Sequence, residues 1–158
     1  MIMIENLVKR YGDKNVVNDI SFTVGDGEIV GFLGPNGAGK STTMNILTGY
    51  LSSTSGTVIV DGYDILEDAM EAKKLIGYLP EQPPLYLDMT VDEYLNFIYD
   101  LKKCTFDRAK HLREVTEVTK ISDVRGRVIG HLSKGYKQRV GIAQAILGQP
   151  KLVILDEP

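Results

Sequence analysis

The apolar positions of the chain fall into stretches with strand period and stretches with helix period. "MIMIENLVKRY" at 1–11 and "NVVNDISFTV" at 15–24 read as strands on either side of the turn-like "GDKN", and "DGEIVGFLG" at 26–34 is a short apolar run that predicts a buried strand. "KSTTMNILTG" predicts a helix stopped by Gly49, and "SGTVIVDG" at 55–62 a strand with turn residues on both sides. "IGYL" at 76–79 is a further strand, and the three prolines of the following "PEQPPLYLDM" exclude a helix there. Thr90 and Glu93 have capping-box spacing, after which Val91, Tyr94, Leu95, Ile98 and Tyr99 form one helical stripe. Two more helices are expected at 107–119 and 134–147, and "KLVILDEP" closes the chain with four apolar residues before two acids, a pattern expected of a strand buried on both faces.

Strands alternating with helices predict an α/β fold with a mainly parallel sheet behind an antiparallel N-terminal region. The helices between 90 and 147 arrive without intervening strands and are expected to form an insert. The organisation that follows is one domain over 1–158, with a core of 1–84 and 149–158 and a helical subdomain at 85–148.

Composition narrows the function. With 158 residues, 43% hydrophobic and 25% charged, the chain can bury a core. A net charge of −3 carries no footprint for nucleic acid, so any bound anion must be captured locally. The basic stretch Lys102, Lys103, Arg108, Lys110 and Arg113 is interleaved with Asp100, Asp107, Glu114 and Glu117 and is expected to be a solvated, mixed-sign face. The single cysteine, Cys104, cannot form an internal disulfide, which makes the cytosol the expected compartment. No apolar run approaches the roughly 18 residues of a membrane span, so any work at a membrane requires another chain to cross it.

The local anion site is legible at 34–49, "GPNGAGKSTTMNILTG". Gly34, Gly39, Lys40 and Ser41 satisfy G-x-x-x-x-G-K-[ST], and the motif lies between a predicted strand and a predicted helix. Glycines allow successive amides to point into one concavity, and the helix behind adds its unpaired N–H groups and the positive end of its dipole. The residues expected to hold a nucleotide's phosphates are Gly34, Pro35, Asn36, Gly37, Ala38, Gly39, Lys40, Ser41 and Thr42. Lys40 is assigned to the β- and γ-phosphates, the Ser41 hydroxyl to Mg²⁺, and Thr42 to a further phosphate contact. Asp156 and Glu157 end an apolar strand, where α/β sheets place their ligands. Adjacent strand residues point opposite ways, so Asp156 is assigned to Mg²⁺ and Glu157 to the general base that polarises the attacking water.

Between these motifs lies "HLSKGYKQRVGIAQAILGQPKLVILDEP", and with it the whole sequence resembles the ATP-binding cassette (ABC) ATPases, P-loop NTPases with a helical insert. Their usual signature is Leu-Ser-Gly-Gly-Gln; here Leu132, Ser133, Lys134, Gly135 and Tyr136 align with it, so the serine and second glycine match while Lys134 and Tyr136 depart. The variant looks like that of subunits paired with separate exporter-type permeases. The resemblance implies that Ser133 and Gly135 act on ATP bound by a partner subunit, and that Tyr11 stacks on the adenine. It also implies that a residue of "YLPEQPP" ligates Mg²⁺; Glu81 occupies the family's glutamine position and Gln82 follows it, and either oxygen could serve. The implied function is an ATP-hydrolysing subunit of a transporter, working with a second ATP-binding subunit as a homodimer and with an integral membrane permease, at the cytoplasmic face. The alternatives are a nucleotide-binding module without turnover and a non-transport cassette ATPase. The family continues past the acids into an aspartate loop and a strand ending in a γ-phosphate histidine, so the C-terminal part of the usual domain is expected to lie outside this sequence. His111 and His131 lie upstream and are expected to be a surface helix residue and a loop residue.

Overall fold

A computed structural model describes residues 1–157 in two compact units, one of residues 1–76 and one that begins at Gly77. Pro158, the last residue of the expected domain spans, lies outside the described residues.

The first unit is built on a four-stranded sheet in the order β2-β1-β3-β4, from β1 (Ile2–Tyr11), β2 (Lys14–Val24), β3 (Ser55–Val60) and β4 (Tyr63–Asp64). Each neighbouring pair is antiparallel, with Ile4 opposite Phe22 on one side and Val58 on the other. The expected antiparallel N-terminal region is this sheet, which also takes in β3 and β4. Ile2, Ile4, Leu7, Val17, Val58 and Val60 turn to one buried side, where Ile46 and Leu47 of α1 (Lys40–Leu47) are also buried. Helix α2 (Ala69–Lys74) was not foreseen; its six residues include a single buried side chain, Ala72, too little apolar period to read.

The expected strand at 26–34 is corrected. Residues 28–35 have no regular secondary structure; Ile29 is 100% exposed and Leu33 92%. Strand-forming side chains do not make a strand alone, because backbone N–H and C=O groups need a ladder partner, and no strand among the described residues pairs with this run.

The second unit holds β5 (Ile76–Leu79, entered from the last residue of the first unit), α3 (Val91–Leu101), α4 (Arg108–Val118), two 3₁₀ turns (Ser122–Val124 and Ile129–His131), α5 (Lys134–Ile146) and β6 (Leu152–Leu155). The expected stripe of α3 is its buried face, and its capping box is formed: Thr90 Oγ1 accepts from the Glu93 N–H at 3.2 Å while Glu93 Oε2 accepts from the Thr90 N–H at 2.8 Å. Leu112 and Val115 of α4, Val140 and Ala143 of α5, Ile121, Ile129 and Leu147 complete this core.

Three expectations change here. Strand β6 is not buried on both faces: among the described residues it pairs with β5 alone, Ile154 is buried, and Val153 and Leu155 are exposed. His111 is a core residue, 4% exposed, because the ring packs on Phe106 and Tyr99. The mixed-sign face holds for the Arg108–Asp100 and Lys110–Glu114 pairs but not for Lys102, whose ammonium donates to the carbonyls of Gln144, Ala145 and Leu147. The C-terminal carbonyls of α5 lack intrahelical donors, and a cation there satisfies them.

Candidate nucleotide site

The glycine-rich loop leads into α1 through Gly39, the N-cap, which lies in the left-handed region at φ 89° and makes no side-chain cap. A Cβ at Gly39 would lie far inside contact distance of the Val16 carbonyl of β2, so the residue is demanded by both its backbone angle and its neighbour. The Thr43 N–H and hydroxyl both donate to the Gly39 carbonyl, at 2.8 and 2.9 Å, and close the first turn. The N–H groups of Lys40, Ser41 and Thr42 belong to that first turn and are the donors a helix start leaves for an anion. Ahead of them, the Ala38 N–H donates to the Pro35 carbonyl at 3.1 Å and folds Pro35, Asn36, Gly37 and Ala38 into a turn. The Lys40 ammonium folds back to donate to the carbonyls of Gly34, at 2.7 Å, and Pro35, at 3.2 Å. It is not free in solvent, and among the described residues it meets carbonyls rather than a carboxylate. Ser41 is exposed and Thr42 half-buried.

Tyr11 ends β1 opposite Lys14, at the tip of the hairpin whose next residues include Val16. The first unit thus brings Tyr11 to the end of the sheet that backs the phosphate loop. The ring is 51% exposed and carries Lys9 Nζ 5.2 Å from its centroid.

In the second unit the Asp156 N–H donates to the Leu79 carbonyl at 2.9 Å, so the carboxyl ends of β5 and β6 lie side by side. The bend that follows β5 carries Glu81 and Gln82, both exposed, and so begins beside Asp156. Sequence placed these residues 75 positions apart (156 against 81), and the strand pair joins them. The Asp156 carboxylate, second to burial, helps raise the Tyr78 phenol above its usual range. Glu157 is exposed with a left-handed backbone, φ 48°.

Ser133 is the N-cap of α5 and its hydroxyl accepts from the Tyr136 N–H at 3.4 Å, a long bond; Gly135 is exposed, with open space where a Cβ would stand. Tyr136, a departure from the usual signature, donates its hydroxyl to Asp123 at 2.8 Å, which raises its pKa, and Arg139 stacks 5.3 Å from the ring centroid. That tether to the first 3₁₀ turn was not foreseen, since 13 residues separate its ends.

The model of the family described as ABC transporter matches residues 17–158. The chain belongs to that family. It is 42% identical over its whole length to an uncharacterized ABC transporter ATP-binding protein of Bacillus subtilis, YxlF, of which it covers 52%. It is 40% identical over 98% of its length to the lipopolysaccharide export system ATP-binding protein LptB of Haemophilus influenzae, covering 66% of that protein. Among solved structures, an ATP-binding subunit of an ABC transporter superposes with a TM-score of 0.87 at 29% identity, covering 98% of this chain and 65% of the other. The chain spans about half the length of several curated relatives it matches. The expected α/β cassette fold, with its antiparallel N-terminal sheet and helical segment, is that of these ABC proteins.

Proposed function

We propose that this chain forms the ATP·Mg²⁺-binding part of a transporter's ATPase subunit, which pairs with a second ATP-binding subunit and drives a separate integral membrane permease from the cytoplasmic face. The observation that carries the reading is the start of α1: a helix with no side-chain cap, below a loop whose lysine rests on two carbonyls. Exchanging those neutral carbonyls for phosphate oxygens sets the ammonium against full negative charges, which strengthens the bonds it makes. In this reading Gly34 to Thr42 cradle the phosphates, Lys40 neutralises the β/γ pair and Tyr11 stacks on the adenine. The oxygen donors of Ser41, Asp156 and one of Glu81 or Gln82 suit Mg²⁺, which when bound would neutralise phosphate charge. Glu157 removes the proton of the attacking water, and Ser133 with Gly135 contacts the ATP of the partner. No helix among the described residues is long and apolar enough to cross a membrane.

A second reading, binding without turnover by these residues alone, is favoured by the exposed, ladder-free run at 28–34 and the exposed Glu157. Calorimetric titration with ATP·Mg²⁺ beside a phosphate-release assay separates the two. In a protein extended to the length of the relatives, Glu157→Gln is expected to keep ATP affinity and slow hydrolysis by about 10²–10⁴-fold. Unimpaired turnover in that variant would remove Glu157 from the role of base.

A further inference from the structure

The turn from α5 to β6 links the segment starting at Ser133 to the strand that ends at Leu155, just before Asp156, and two side chains from elsewhere grip it. His111 of α4 accepts the Gly148 N–H through Nε2 at 3.0 Å. Lys102, just past α3, donates to the Gln144 and Leu147 carbonyls at 2.7 Å each and to Ala145 at 3.2 Å. Gly148 sits at φ 90°, and a Cβ there would come 3.2 Å from Cys104 Sγ, so the turn is pressed against the chain between α3 and α4. We propose that His111 is a positioning residue: with Lys102 it clamps the α5–β6 turn, and protonation of its ring opens the clamp.

The chemistry is set by one atom. A nitrogen that accepts the Gly148 N–H must carry a lone pair, which assigns the proton of the neutral ring to Nδ1; an added proton puts N–H against N–H. The groups that face the ring are Glu114, one turn along α4, whose charge favours protonation; Lys102, whose charge opposes it; the Cys104 thiol beside Gly148; and Tyr99, 6.3 Å away between centroids, which carries Arg108, paired to Asp100, 4.5 Å from its own centroid. Burial outweighs them and holds the imidazole below its ordinary range. Burial likewise pushes Lys102 down to about 8, still charged at neutral pH.

The sign follows. The opened or unfolded chain takes a proton near pH 6.5, the closed chain only at lower pH, so the open form binds more protons in that window and the clamp weakens as pH falls. The clamp rests on these contacts and not on the nucleotide reading above. The test uses this chain: the protection factor of the Gly148 amide against hydrogen exchange, with the His111 ring followed by NMR over the same pH series. Protection is expected to fall about tenfold per pH unit from about 6.5 down to the lower pH at which the closed ring itself titrates. In His111→Gln, whose amide oxygen can accept the same bond without titrating, protection is expected to be flat with pH. Should that variant fail to fold, the wild-type series decides by itself. Protection that stays constant between about pH 6.5 and the titration of the wild-type ring, or an unchanged pH dependence in His111→Gln, would overturn the clamp. Failure of the nucleotide reading would show separately, as ATP affinity indifferent to Lys40→Ala.

Discussion

Helix α1 in the first unit and helix α3 in the second begin in opposite ways. Helix α3 opens on a complete capping box, in which Thr90 and Glu93 satisfy each other's backbone donors. Helix α1 opens on Gly39, with no side chain to offer and no side-chain cap. Helix α5 stands between them: Ser133 caps the Tyr136 N–H, but at 3.4 Å. A helix start can spend its free donors on its own chain or keep them for an anion. The series from α3 to α5 to α1 orders the three starts by how much they keep, and it matches the roles proposed for them: packing, contact with a partner's nucleotide, and phosphate binding.

The comparison breaks most sharply at Gly39. Gly39→Ala forces a Cβ onto the Val16 carbonyl in a left-handed conformation, and is expected to destabilise the first unit by about 2–3 kcal/mol and to abolish measurable ATP binding. A thermal melt with and without ATP checks both; a variant as stable as the parent would mean that the loop has another arrangement available. Lys40→Ala should remove roughly 1.5–3 kcal/mol of binding, at least about a tenfold loss in affinity by titration. Because Lys40 also ties the loop to the Gly34 and Pro35 carbonyls, faster hydrogen exchange across the loop is expected in the same variant.

At the closed end of the series, Thr90→Ala should cost about 1 kcal/mol of stability and leave ATP affinity unchanged, since α3 keeps nothing for a ligand. A change in affinity there would show that the cap serves binding and would collapse the comparison. Ser133→Ala is expected to do the least to stability, about 0.5 kcal/mol in a denaturant melt, given the long bond and the exposed residue. In an extended protein it should nonetheless weaken ATP-driven association of two subunits, measured by sedentation-equilibrium or light-scattering mass; association untouched by the change would place Ser133 with Thr90 as a structural cap.

The sequence by itself determined whatever one element's own residues decide. The stripe of α3, the Thr90–Glu93 box, the span of α5 from Lys134, and the pattern from Gly34 to Ser41 were all legible, because period, capping and backbone freedom act within a few residues along the chain. The family followed from three motifs in order. Tertiary structure decided whatever needs a partner far along the chain. The run at 28–34 has strand composition but no ladder, Lys102 and His111 read as surface charges until α5 ends beside them, and Asp156 meets the start of the Glu81–Gln82 bend only through Leu79. A strand's stability lies in the hydrogen bonds and cross-strand contacts it makes with another segment, and a polar side chain's burial depends on what packs over it. Neither is written in the local pattern of apolar and polar residues.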